Sequence, residues 1–145
     1  MTRPLLVAPE DRSQPMQVAG FEITTLASTE QTGNYEVFHQ AGPAGKGPGP
    51  HFHDWDESFF VVSGTVECGI DGNDTVAGPG TFIHAPAGST HWFRFGPDGG
   101  EMLTMTSQGN ASKMFAAFHE AESWDNPDRS AFVELAASYG QTVGL

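Results

Sequence analysis

A single cysteine, Cys68, stands in the whole of this chain. It cannot close an intrachain disulfide, and a thiolate-rich structural zinc site is excluded with it. A reducing, cytoplasmic setting follows as the default. Basic residues are scarce too: six Lys and Arg stand against eighteen Asp and Glu, a formal net charge of −12. Without clustered cations there is no electrostatic footprint for nucleic acid, and an anionic membrane surface would repel the chain. No segment approaches the run of about eighteen apolar residues that a membrane-spanning helix needs. Residues 1–15 hold no apolar stretch of signal-peptide length.

What the chain has in quantity is turn chemistry. Its 145 residues, about one domain's worth, include eighteen Gly and ten Pro, set singly or in pairs between short apolar runs. Such spacing favours an all-β architecture. Residues 21–26 and 35–39 read as an early hairpin or meander around the polar segment 28–34. Residues 42–50, rich in Gly and Pro, form a loop that delivers the chain to His51. Six further β-prone runs follow, at 57–62, 66–70, 75–77, 81–85, 91–95 and 102–106. Turn signals divide them at 63–64, 71–73, 78–80, 86–88 and 96–99. A ladder of this kind indicates a sandwich or barrel.

Past Ser107 the period changes to that of a helix. Met114, Phe115, Phe118 and Ala121 fall on one face of residues 111–122, with Asn110 placed to cap it. A second helix is expected to open at Asp125 or Asn126, with Pro127 in its first turn and Asp128 near its positive end. Phe132, Leu135, Ala136 and Tyr139 form its apolar stripe, and Gly140 ends it. The domain reading is a barrel over 1–107, with its motif region at 45–95, and a C-terminal helical extension over 108–145. The two helices pack on the barrel's outside or cover one mouth, and their aromatic residues read as core.

The chemistry lies in His51-Phe-His53-Asp-Trp-Asp-Glu57. Side chains at even separations share a strand face, so this segment can present two imidazoles and a carboxylate together if the pleat holds through 54–56. His91, opening another β run after the Pro86-Ala-Gly88 turn, can lie opposite and complete the cluster. Three neutral imidazoles and one carboxylate suit Fe, Mn, Ni, Co or Zn as a divalent ion. Four such ligands leave two positions of an octahedral shell open for water, substrate or dioxygen. By the same parity Phe59 and Val61 on one side, and Phe93 and Phe95 on the other, are the candidate substrate-contacting wall. Trp92 and Arg94 face away, and Trp55 flanks the ligands. His39 and His119 read as structural, Cys68 as packing, and His84 is open between cavity wall and outer surface.

These residues carry a family resemblance. Gly45, His51, His53, Glu57 and Gly64 stand at the intervals of the first cupin motif. Gly80, Pro86, Gly88 and His91 stand at those of the second, whose closing Asn is here Phe95. Residues 65–79 form the short spacer typical of compact microbial cupins. The chain therefore resembles the cupin superfamily, and its small single-domain, quercetin dioxygenase-like members in particular. The resemblance implies a double-stranded β-helix, or jelly-roll barrel, and one divalent transition metal held by His51, His53, Glu57 and His91. It also implies a homodimer paired through barrel edges. Three functions follow as expectations. The first is a dioxygenase or related oxidoreductase acting on a small enolisable or phenolic substrate, with Glu57 as general base. The second is a non-redox isomerase, cyclase, decarboxylase or lyase. The third is a non-catalytic small-molecule-binding module.

Overall fold

A computed structural model describes residues 2–122 and 128–144. Its strands are β1 (Met16–Val18), β2 (Phe21–Ala27), β3 (Tyr35–Gly42), β4 (His51–His53), β5 (Glu57–Ile70), β6 (Asn73–Ala77), β7 (Phe82–Ala85), β8 (His91–Ser107) and β9 (Gln141–Val143). A short helix α1 (Thr29–Thr32) interrupts the β2–β3 connection, and α2 (Ala111–Ala121) and α3 (Arg129–Ser138) precede β9. All strand pairings are antiparallel.

The architecture turns on β5 and β8, which run side by side through two facing sheets. In the first half of β5, residues 57–64 pair with residues 100–106 of β8, and residues 57–60 pair with β7. This sheet reads β1-β2-β3-β8-β5-β7. In the second half, residues 66–70 of β5 pair with β6 and with residues 91–95 of β8. That sheet reads β9-β4-β8-β5-β6. A sheet curled back on itself in this way is a jelly-roll barrel, and the inward faces of its two halves enclose the core.

The crossing between halves corrects the sequence reading at two places. Breaks were expected at 63–64 and 96–99; instead both strands pass through them, bent by register shifts between Val61 and Ser63 and between Gly64 and Val66. Glycine makes the close approach feasible. Gly64 has φ of +68°, and a Cβ there would lie 2.2 Å from the Gly99 carbonyl oxygen. The turn residues do mark sharp backbone change, but the partner strand bends with them: the β5–β8 pairing skips Thr65 and residues 96–99 and resumes beyond them.

The core is built from the alternating inward residues. Ile23, Phe38, Val61, Val66, Phe95 and Met102 are all almost fully buried. Phe95 occupies the place of the motif's Asn without loosening anything: Phe21, Phe93 and Phe95 meet edge to face in a closed trio at 5.7–5.8 Å. Cys68 is buried packing, its thiol pushed up in pKa by burial and by Asp74.

At the C-terminal end, α2 buries Met114, Phe115, Phe118 and Ala121, the stripe that its period indicates, though Asn110 makes no side-chain cap. The third helix opens at Arg129, where Asp128 caps it by accepting from the Ala131 amide at 2.8 Å. The earlier opening, at Asp125 or Asn126 with Pro127 in the first turn, lies outside the described residues. After Gly140 the chain does not stay helical. It re-enters the barrel as β9, pairing with β4 from His51↔Val143 to His53↔Gln141. Among the described residues no helix is long and apolar enough to cross a membrane.

Candidate metal centre

Ligand atoms of His51, His53, Glu57 and His91 all lie within 4.8 Å of one another, and all four residues are buried. They meet by a route that differs from same-strand parity. The chain leaves β4 after His53, turns through 54–56, and restarts as β5 in the facing half of the barrel, so Glu57 points at the histidines from across the interior. His91 is not opposite but alongside: it is the register partner of His51. The corner between His53 and Glu57 is pinned on both sides. Asp56 Oδ1 accepts from the Ala87 amide at 2.9 Å. The Gly88 amide donates to the His53 carbonyl at 2.8 Å, and the Ser107 amide to the Asp56 carbonyl at 3.0 Å.

Each imidazole is oriented by its own backbone. Nδ1–H of His51 donates to the Gly49 carbonyl at 2.8 Å, that of His53 to the Trp55 carbonyl at 2.9 Å, and that of His91 to the Ser89 carbonyl at 3.0 Å. A carbonyl only accepts, so the proton is fixed on Nδ1 and the Nε2 lone pair is left for the centre. Trp55 stacks flat on the His53 ring at 4.3 Å and 7° and holds its plane.

The electrostatics ask for a cation. His91 Nε2 lies 3.0 Å from Glu57 Oε1, and His53 Nε2 lies 3.6 Å from the same oxygen. Since Nδ1 of His91 already carries a proton, that contact is attractive only when Nε2 also holds one or when a metal ion sits between the two groups. Burial works against the charged form of His91, yet Glu57 outweighs it and raises the His91 pKa. Burial likewise opposes ionisation of Glu57, but His53 and His91 hold its pKa down at about 2. His51, desolvated and next to His91, drops to about 4 and is neutral at physiological pH. One anionic oxygen and three ready lone pairs fit a divalent first-row ion.

A cavity of about 310 Å³ opens beside the cluster and is lined by His51, His53 and Glu57. Of the expected wall residues Phe93 lines it, whereas Phe59, Val61 and Phe95 are packed in the core and do not. Parity placed all four inward correctly, but the cavity occupies only the part of the interior next to β9 and the helices. Its remaining wall includes Trp55, Gln40, Gln141 and, from the helices, Met114, Phe115, Phe118 and Phe132. The helical aromatics are therefore core and cavity wall at once. Gln40 was recoverable by extending β3 two residues past Phe38; Gln141 was not, because nothing in the sequence announces β9.

The other histidines stand elsewhere. His39 contacts Glu101 at 2.6 Å near the surface. His84 is exposed and shares a hydrogen bond with Ser58 at 2.8 Å on the outer face. His119 Nδ1 accepts from the Gln17 amide at 2.9 Å. Trp92 and Arg94 face outward as parity requires, with the guanidinium 4.9 Å over the indole and bonded to Glu67.

Fold and site together define a metal-binding jelly-roll barrel, and the comparisons with known proteins agree. The family model described as "Cupin domain" matches residues 38–106. Quercetin 2,3-dioxygenase of Bacillus subtilis (strain 168) is 30% identical over 69 residues, which cover 47% of this chain and 20% of that protein. The chain thus spans about a fifth of that relative's length. Among solved structures, an RmlC-like cupin from Shewanella frigidimarina superposes with a TM-score of 0.67 at 17% identity, covering 78% of this chain and 99% of that one. The polyketide cyclase RemF from Streptomyces resistomycificus gives 0.62 at 20% identity, covering 72% and 80%. Residues 38–106 of this chain thus match a cupin domain, and its fold is that of the cupin structures it superposes on.

Proposed function

We propose that the chain is a metal-dependent enzyme, a dioxygenase or related oxidoreductase, acting on a small enolisable or phenolic substrate that chelates the ion. The observation that supports this most directly is the pairing of an open ligand set with a largely apolar, aromatic cavity. Three imidazoles and a carboxylate converge on one point, and the wall beside them is made mostly of aromatic and aliphatic side chains. When bound, a divalent ion supplies Lewis acidity toward chelating oxygens and, where redox-active, electrons for reaction with dioxygen. His51, His53 and His91 would hold it through Nε2 and Glu57 through its carboxylate.

The chain's own residues supply the rest. Phe93, Phe115 and Phe118 present flat apolar surface to a ring system and exclude water from it. Glu57 is ionised and borders the cavity, and takes the proton from the substrate's enol or phenol oxygen. The similarity to quercetin 2,3-dioxygenase is in keeping with this reading.

An oxygen-uptake screen of metal-loaded protein over flavonols, diketones and catechols tests it. Oxygen consumption matched to product formation is the expected result. Product without oxygen consumption would replace the proposal with a non-redox isomerase, cyclase, decarboxylase or lyase. Ligand-induced stabilisation with no product would replace it with a binding module.

A further inference from the structure

The cavity holds two primary amides that the protein leaves unmatched. Gln40 and Gln141 both line it, at 2% and 8% exposure. Gln40 Oε1 accepts from the Thr104 hydroxyl at 3.1 Å, which orients the amide. Its N–H groups have no protein acceptor among the described residues, and the Gln141 side chain has no hydrogen-bond partner there at all. Neither amide is among the fully buried polar atoms left without a partner, so both reach open space, and the cavity they line supplies it.

The two amides stand at different ends of it. Gln141 is the register partner of His53, and cross-strand partners share a face, so it sits beside the metal ligands. Gln40 lies on the facing sheet, in the inward row of Met102 and Val61, whereas Glu57 shares a row with Thr106 and Glu36. Four residues of strand separate the backbones of those rows, roughly 13 Å at about 3.3 Å per residue, and the Gln40 amide leans back from its row to Thr104, which stands two residues from the row of Glu57. The intervening wall is apolar. Among the described residues no Lys or Arg lines the cavity, while Glu122 does, its carboxylate accepting from the Ala19 amide at 3.0 Å.

We propose that Gln40 and Gln141 select the substrate, which deepens the metal-centred reading above and rests on it. They suit an uncharged molecule of two or three rings that chelates at one end, where Gln141 donates to an oxygen near the ion. At the other end a carbonyl or hydroxyl oxygen accepts from Gln40. A small dicarboxylate satisfies neither the length nor the charge.

Anaerobic calorimetric titration of the metal-loaded protein tests this with three probes. The parent flavonol carries its 3-hydroxyl and 4-carbonyl together at the chelating end; quercetin keeps that pair, adds a 5-hydroxyl beside the carbonyl and places three more hydroxyls on the outer edges of its rings; oxalate is short and anionic. Quercetin is expected to bind about tenfold more tightly than the parent flavonol, with oxalate not measurably bound. Gln40→Leu brings the flavonol ratio to about one with metal content unchanged, and Gln141→Leu weakens both flavonols about tenfold. Should Gln40→Leu alone fail to fold, Gln40→Leu/Thr104→Val removes the stranded hydroxyl as well and must give the same ratio. An unchanged ratio, no binding of either flavonol, or oxalate binding as tight as quercetin overturns the assignment. Because turnover is not read, failure of the oxygen-uptake screen would remove the reaction and leave these amides standing.

Discussion

Glu57 is the one anionic group among three imidazoles, and two of them share its Oε1. That makes it both ligand and proton acceptor, roles that Glu57→Gln separates. The amide keeps the shape and one oxygen but cannot take a proton, so turnover is expected to fall roughly 10²- to 10⁴-fold. Metal content should persist; full activity would remove the base role. The histidines set the pH response of the metal-free protein. His51 falls from 6.5 to about 4 on folding, so the unfolded chain takes up its proton first and stability declines as pH drops from 6.5 toward 4. His91 shifts upward, and its contribution is complete below 6.5 and fades as pH rises through its folded value. Glu57 adds a further loss below 4.5. Thermal melts of metal-free protein between pH 4 and 8 should peak near 6.5, and a midpoint rising as pH falls from 6.5 would contradict the assignment of His51. At this scale the ligands were legible because their intervals and the Gly and Pro around them all agree. Their arrangement was not, since His51, His53 and Glu57 keep even spacing across a corner that moves Glu57 to the other sheet.

For the strands, the glycines of the motif separate into two kinds. Gly64 places backbone against backbone where β5 and β8 bend together. Gly80 also has a positive φ, +88°, but a Cβ there would meet nothing within 4 Å. Gly80→Ala is therefore expected to cost about 1 kcal/mol, the penalty of backbone conformation alone. Gly64→Ala adds a clash that neither strand can relieve without losing its register, and should cost at least about 3 kcal/mol or prevent folding. Chemical denaturation of the two variants measures the difference; equal stabilities would refute the account of the crossing. This is also where the sequence was least readable. Positive φ and turn composition look the same whether a strand ends or bends, and only the partner strand decides. β9 was hidden for a related reason: a three-residue edge strand after Gly140 has too little pattern to be told from a loop, yet it places Gln141 beside His53.

Taken as a molecule, the chain spends its inward faces unevenly. Aromatic packing around Phe21, Phe93 and Phe95 fills the interior next to the cavity, and Phe21 and Phe93 share the cavity wall with the ligands and the helices. The net charge of −12 favours cations near such a centre, though charge alone gives it no selectivity among them. Barrel class and the two helices were legible from turn spacing and period, because those signals are local. How the helices meet the cavity was not, because it depends on packing between segments distant in sequence. The central claim is that four side chains form one divalent-metal site, and metal stoichiometry tests it most directly. Untagged protein reconstituted in turn with Fe, Mn, Co, Ni and Zn, then dialysed and measured by elemental mass spectrometry, should hold about one ion per chain for at least one metal. His53→Ala and His91→Ala should each hold far less of that metal at unchanged folded content. Retention of a full equivalent by both variants, or no retention of any of the five ions by the unaltered protein, would contradict it.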